Sequence, residues 1–135
     1  VFRTADAFCL QGVWLCGICC CPPNNEIHKT ALGAELTVDW RYFEHTLDAV
    51  RALQADGYTV YAIEQAHGST LLHDMQLPKN QKTAIIMGHE VFGVQQEVVD
   101  AANGCIEIPQ YGTKHSLNVS VTAGIVMYEL SNMLR

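Results

Sequence analysis

Thr83-Ala84-Ile85-Ile86-Met87 is a five-residue apolar run halted by Gly88; a helical stretch, Val94 to Ala102, follows it, and then a second short run, Cys105-Ile106-Glu107-Ile108, halted by Pro109. Apolar runs this short, bounded by turn residues, read as buried strands. A strand, a helix and a strand in succession form the unit of a parallel sheet, because parallel neighbours need a crossover between them. Tyr58-Thr59-Val60-Tyr61-Ala62-Ile63 reads as another buried strand. Ahead of it Phe43, Leu47, Val50 and Leu53 recur at helical spacing, and Gly57 ends that helix. Between Ile63 and Thr83 lies a polar connection containing Pro78 and Lys79-Asn80.

The pattern extends to both ends. Arg3 to Phe8 reads as the end of a helix, and Val13-Trp14-Leu15-Cys16 as a short buried strand after Gly12. Pro22-Pro23 marks a loop, Asn24 or Asn25 caps a helix from Glu26 to Leu32, Gly33 stops it, and Thr37-Val38 is briefly extended. Ser116 to Leu134 closes the chain as a strongly apolar helix. Alternation of this kind predicts an α/β fold, a mainly parallel sheet flanked by helices, in one domain over residues 1–135.

Composition narrows the class. Apolar residues make up 49% of the 135, too many for a disordered tail, and charged residues only 16%, below the roughly 25% usual for soluble domains. Scarce charge points to surface covered by another subunit. The net charge of −6 argues against nucleic-acid binding through charge alone, which needs Lys and Arg. The uncharged stretch from Ala7 to Asn25 contains Gln11 and two glycines and ends in Pro22-Pro23-Asn24-Asn25, so its apolar part is shorter than a membrane span. Cys16, Cys19, Cys20 and Cys21 cluster, but Cys9 and Cys105 are single and distant and supply no second ligand pair for zinc. Reduced cysteines in a cytoplasmic protein are the expectation.

Ligands of parallel sheets bind in loops at the carboxyl ends of strands. Three such loops stand out, Glu64-Gln65, Gly88-His89-Glu90 and Pro109-Gln110-Tyr111-Gly112, with Ser116-Leu117-Asn118 at the start of the last helix. Common cofactor motifs fail. Gly88 to Gly93 has the gap of a P-loop but Val94 in place of its Lys; His89-Glu90 begins a zinc-protease motif, but Gly93 stands where its second His belongs; no Gly-x-Gly-x-x-Gly occurs. Asn118-Val119-Ser120 is formally a glycosylation sequon, given little weight in an apolar helix.

Two stretches, Arg3 to Phe8 and the sequence from Ile85 onward, carry a resemblance to a known family. Arg3-Thr4-Ala5-Asp6-Ala7-Phe8 is similar to the end of the first motif of the SpoU (SPOUT-class) RNA 2′-O-ribose methyltransferases. I-M-G-H-E-V-F-G from Ile85 and I-P-Q-Y-G-T-K-H-S-L-N-V-S-V-T-A-G-I from Ile108 resemble its second and third, and K-T-A-L-G-A-E at Lys29 to Glu35 also fits. Departures are Cys9 for a usual Gly, Gln110 for a frequent Met, and His89 and Val91 beside Glu90. The resemblance implies a C-terminal trefoil knot, a homodimer, S-adenosyl-L-methionine as cofactor without metal, a tRNA or rRNA substrate, and a first strand, carrying the first-motif Asn, that would precede this chain. A non-catalytic RNA-binding or regulatory relative is the alternative.

The site the resemblance implies has Arg3, Glu90 and Asn118 as catalytic residues. Glu64, Gln65, Met87, Gly88, His89, Ile108, Pro109, Gln110, Ser116, Leu117 and Asn118 line the cofactor, largely through backbone groups. A ribose hydroxyl is a poor nucleophile while protonated; a guanidinium beside it stabilises developing negative charge and can grip the neighbouring phosphate with two N–H groups. Glu90 would accept bonds from the first-motif Asn or from loop amides. Lys114 and His115 read as exposed loop residues, Trp14 as core, and Trp40, Tyr42 and Phe43 as core or dimer packing.

Overall fold

The computed structural model describes residues 5, 7, 10–16, 38–88, 93–112 and 117–135, the side chains of 13–15 excepted. The helix expected from Glu26 to Leu32 and the cysteines at 19–21 lie outside these residues. The chain divides into two compact units, Val1–Ala49 and Val50–Arg135.

In the first unit Ala5 and Ala7 are helical, as expected, and Leu10 N–H closes onto Ala5 O at 2.9 Å. Two strands follow, β1 (Gly12–Cys16) and β2 (Asp39–Phe43), paired in parallel from Gly12↔Asp39 to Cys16↔Phe43. β1 matches the expectation; β2 corrects one. Phe43, read as the first apolar position of a helix, ends a strand, and the helix starts three residues later, at Thr46. Trp40 and Tyr42, read as core or dimer packing, are not in the core: both stay exposed on β2, while Arg41 lies over the Phe43 ring at 5.2 Å.

α1 (Thr46–Ala55) leads into the second unit. Gly57 stops it: its φ of +89° is open to glycine, and Gly57 N–H reaches Gln54 O while Tyr58 N–H reaches Leu53 O. These are the paired bonds of a Schellman motif, accompanied by contact of Leu53 and Tyr58 with one core cluster. Four strands then form one sheet: β3 (Thr59–Ile63), β4 (Thr70–Leu71), β5 (Thr83–Met87) and β6 (Gly104–Glu107). Their order is β4-β6-β3-β5, and every pairing is parallel. α2 (Gln96–Ala101) is the crossover from β5 to β6, and α3 (Val119–Leu134) closes the chain.

Alternation along the strands splits the core in two. Tyr61, Ile63, Ile85 and Ile106 face one way and pack with Leu72, Val126 and Leu130, so α3 covers that side. Val60, Ala84 and Ile86 face the other way, onto Val50 of α1 and Val98 of α2. Val60 and Ile106 are completely buried, and each such side chain contributes roughly 1.5–3 kcal/mol. The polar connection after Ile63 proved to hold β4 and a 3-10 turn, Leu72–Asp74, whose Leu72 is buried. Asn80, at φ 63°, donates its N–H to Leu134 O at 2.9 Å and so caps the end of α3.

Candidate functional site

β3 lies between β5 and β6, and all three strands run parallel, so their carboxyl ends lie at the same edge of the sheet. Ligands of open parallel sheets sit at the carboxyl ends of the strands. The loops after β3, β5 and β6 therefore emerge side by side at one edge, which unites the three loops chosen from the sequence.

Glu64 ties these exits together. Its N–H donates to Ile106 O on β6 at 3.1 Å. Its carboxylate turns the other way: Oε2 accepts Val94 N–H at 2.9 Å and Oε1 accepts Gln65 N–H at 3.1 Å. Gly93, at φ +69°, lies against this carboxylate, and a Cβ there would collide with it. A Cβ on Gly88 would run into the backbone of Gly93 and Val94. The segment carrying Glu90 thus begins and ends at one point. Ser69 Oγ donates to Glu107 Oε1 at 2.7 Å and joins the β3–β4 connection to the end of β6.

The other expected residues fall as follows. Met87 ends β5 opposite Ile63. Ile108 packs on the α3-side core, Pro109 is half-buried, and Gln110, Tyr111 and Gly112 are exposed, Tyr111 by 92%. Leu117 is exposed, and Asn118 precedes α3, which starts at Val119 rather than at Ser116. Arg3, His89, Glu90, Lys114, His115 and Ser116 lie outside the described residues. Gly93, Val94, Ser69 and Glu107 were not picked out as site residues. The pair of glycines bracketing Glu90, which falls in the stretch resembling the family's second motif, was the available signal for Gly93 and Val94.

Asn118 is the N-cap of α3: its Oδ1 accepts Ser120 N–H at 2.8 Å. Asn118→Ala leaves that amide without its partner, and such caps contribute about 1 kcal/mol. The variant should melt a few degrees lower, and Asn118→Asp, which keeps the acceptor, should melt near the parent. Cys105, on the α1/α2 side of the sheet, has its thiol pKa pushed up, first by burial and then by the charges of Glu64 and Asp100.

A parallel α/β unit with three strand-end loops at one edge of its sheet has the architecture of the ligand-binding α/β domains. Within that class, the chain belongs to the SpoU rRNA Methylase family, whose model matches residues 1–128. It is 35% identical over 104 residues to a tRNA (guanosine(18)-2′-O)-methyltransferase of Borreliella burgdorferi, covering 77% of this chain and 47% of that protein. A protein of the same name from Thermus thermophilus is 33% identical over 102 residues, covering 76% and 52%. The solved structure of an AdoMet-bound rRNA methyltransferase from Sinorhizobium meliloti superposes with a TM-score of 0.89 at 30% identity, covering 99% of this chain and 50% of that one. The chain spans about half the length of the curated relatives it matches.

Proposed function

We propose that residues 1–135 are the catalytic domain of an RNA 2′-O-methyltransferase, taking its methyl group from S-adenosyl-L-methionine and delivering it to a ribose hydroxyl of tRNA or rRNA. The observation that carries this reading is the meeting, in a SpoU-family sheet, of the loops after β3 and β5 at Glu64, Gly88 and Gly93, beside β6. The donor set fits the cofactor. Two carboxylates, Glu64 and Glu107, stand at the ends of β3 and β6, and the described parts of the three loops hold no Lys or Arg. The negative field of these carboxylates favours a sulfonium cation over an anionic phosphate through space, with no contact from the Glu64 carboxylate, whose oxygens accept Val94 and Gln65 N–H. When bound, S-adenosylmethionine supplies an electrophilic methyl group. Backbone groups of the three loops and of Ser116-Leu117-Asn118 would hold it, with Met87 and Ile108 as apolar walls.

The chain's own residues then position and stabilise. Arg3 would hold the phosphate beside the target ribose and favour the oxyanion that develops at the 2′-oxygen. Glu90 would accept amide bonds and order its loop. The trefoil knot and the homodimer belong to the same proposal. In support of the dimer, Val121, Ile125 and Tyr128 are 52%, 39% and 56% exposed along one stripe of α3, opposite the buried Ala123, Val126, Met127 and Leu130. A cytoplasmic setting follows from an RNA substrate; no helix among the described residues is long and apolar enough to cross a membrane.

The test is methyl transfer by the full-length protein from S-adenosylmethionine to purified tRNA and rRNA, with modified nucleotides mapped by mass. A 2′-O-methyl mark in one RNA is expected. Binding of RNA and cofactor without any mark would favour the non-catalytic relative.

A further inference from the structure

Glu64 is the one side chain among the described residues whose hydrogen bonds connect the loop after β3 to the loop after β5. Both of its oxygens face backbone amides, Val94 N–H at 2.9 Å and Gln65 N–H at 3.1 Å. Its own peptide is fixed to β6 through Ile106 O. One residue therefore joins the exits of three adjacent strands. Gly93 leaves room for the carboxylate that a Cβ would take away, and Gly88 leaves room for Gly93 and Val94.

We propose that Glu64 is a positioning residue for the methyl-transfer site: its carboxylate clamps Gly93 and Val94 against Gly88, which closes the loop carrying Glu90, and it does not itself touch the cofactor. The proposal rests on the methyltransferase reading and deepens it. A carboxylate accepting a peptide N–H makes a charge-assisted bond, roughly twice as strong as a neutral one. A loop pinched at both ends before a ligand arrives has less freedom to lose on binding, so the clamp raises affinity without a contact of its own. This separates Glu64 from the residues that line the cofactor and assigns its side chain to the loop.

Two measurements on the full-length protein test it. The first needs no ligand. In Glu64→Ala the Val94 amide should exchange with solvent at least about tenfold faster. The Val60 amide, held by Asn103 Oδ1 at 2.8 Å, should keep its rate, which separates loop release from general loosening. The second is calorimetry with S-adenosylhomocysteine and its 2′-deoxyribose counterpart. Glu64→Ala should weaken both by the same factor, on the order of tenfold or more. Glu64→Gln should recover part of the loss, because its amide oxygen can still accept Val94 N–H, while the charge is gone and its NH2 faces the Gln65 N–H.

Unchanged Val94 exchange in Glu64→Ala would overturn the clamp. So would a penalty that disappears with the deoxyribose ligand, which would mean that Glu64 binds the cofactor's hydroxyl directly. Wild-type protein that takes up no S-adenosylhomocysteine would overturn the methyltransferase reading, and Val94 exchange would then still decide the clamp by itself.

Discussion

Arg3→Ala should slow methyl transfer by roughly a hundredfold or more under single-turnover conditions with saturating RNA, the range found when one electrostatic stabiliser is removed. The effect should fall on the rate and not on the affinity for S-adenosylhomocysteine, because the strand-end loops, and not Arg3, would hold the cofactor. Arg3→Lys should recover little. An ammonium carries the charge but lacks the planar fork that grips a phosphate through two N–H groups. Near-normal turnover in Arg3→Ala would reduce Arg3 to a charge at a helix end, stabilising nothing beyond that helix.

Gly88→Ala should sharply weaken cofactor binding. Gly88 is absent from the residues with positive φ, so the substitution carries no backbone penalty of its own, and its effect is purely steric. The added carbon meets peptide atoms of Gly93 and Val94, which cannot rotate aside as a side chain would. Overpacking of this kind costs about 1–3 kcal/mol, so affinity for S-adenosylhomocysteine should fall about ten- to a hundredfold. Calorimetry on the purified variant reads the loss. An affinity equal to the parent's would show that the two loop ends part without consequence for the ligand.

The strands that were easiest to read are those richest in apolar residues. Thr59–Ile63 and Thr83–Met87 consist almost wholly of β-branched and apolar residues between turn signals, and both form within one residue of the expected bounds. β4 was invisible because two residues carry no periodicity, and its pairing depends on β6, more than thirty residues away. Phe43 was misassigned because its spacing to Leu47, Val50 and Leu53 continues the helical series by chance, while its backbone pairs with Cys16 of a distant strand. Loop positions at the site were legible from the strand ends. The side-chain role of Glu64 was not, since a carboxylate after a strand looks the same in sequence whether it faces a ligand or a neighbouring amide. The strand end also brought forward Glu90, and the resemblance supplied Arg3, which no periodicity would have singled out, and the roles expected of both.

β6, the last strand of its sheet to leave the ribosome, ends up between β3 and β4. Among the described strands β4 has no other partner, so it can only wait: Thr70 and Leu71 have nothing to pair with until Ile106 and Glu107 arrive. Before then the chain can assemble no more than the β3–β5 pair, with an open edge on β3 where β6 belongs. Sheets completed by a distant, late-arriving strand fold slowly, because the loop must be closed before any contact rewards it. Until that moment the unsatisfied edge of β3 is a template for other chains. The strand order that gathers the ligand loops at one point is therefore also what makes the nascent protein vulnerable, and only completion of the last third of the chain ends that exposure.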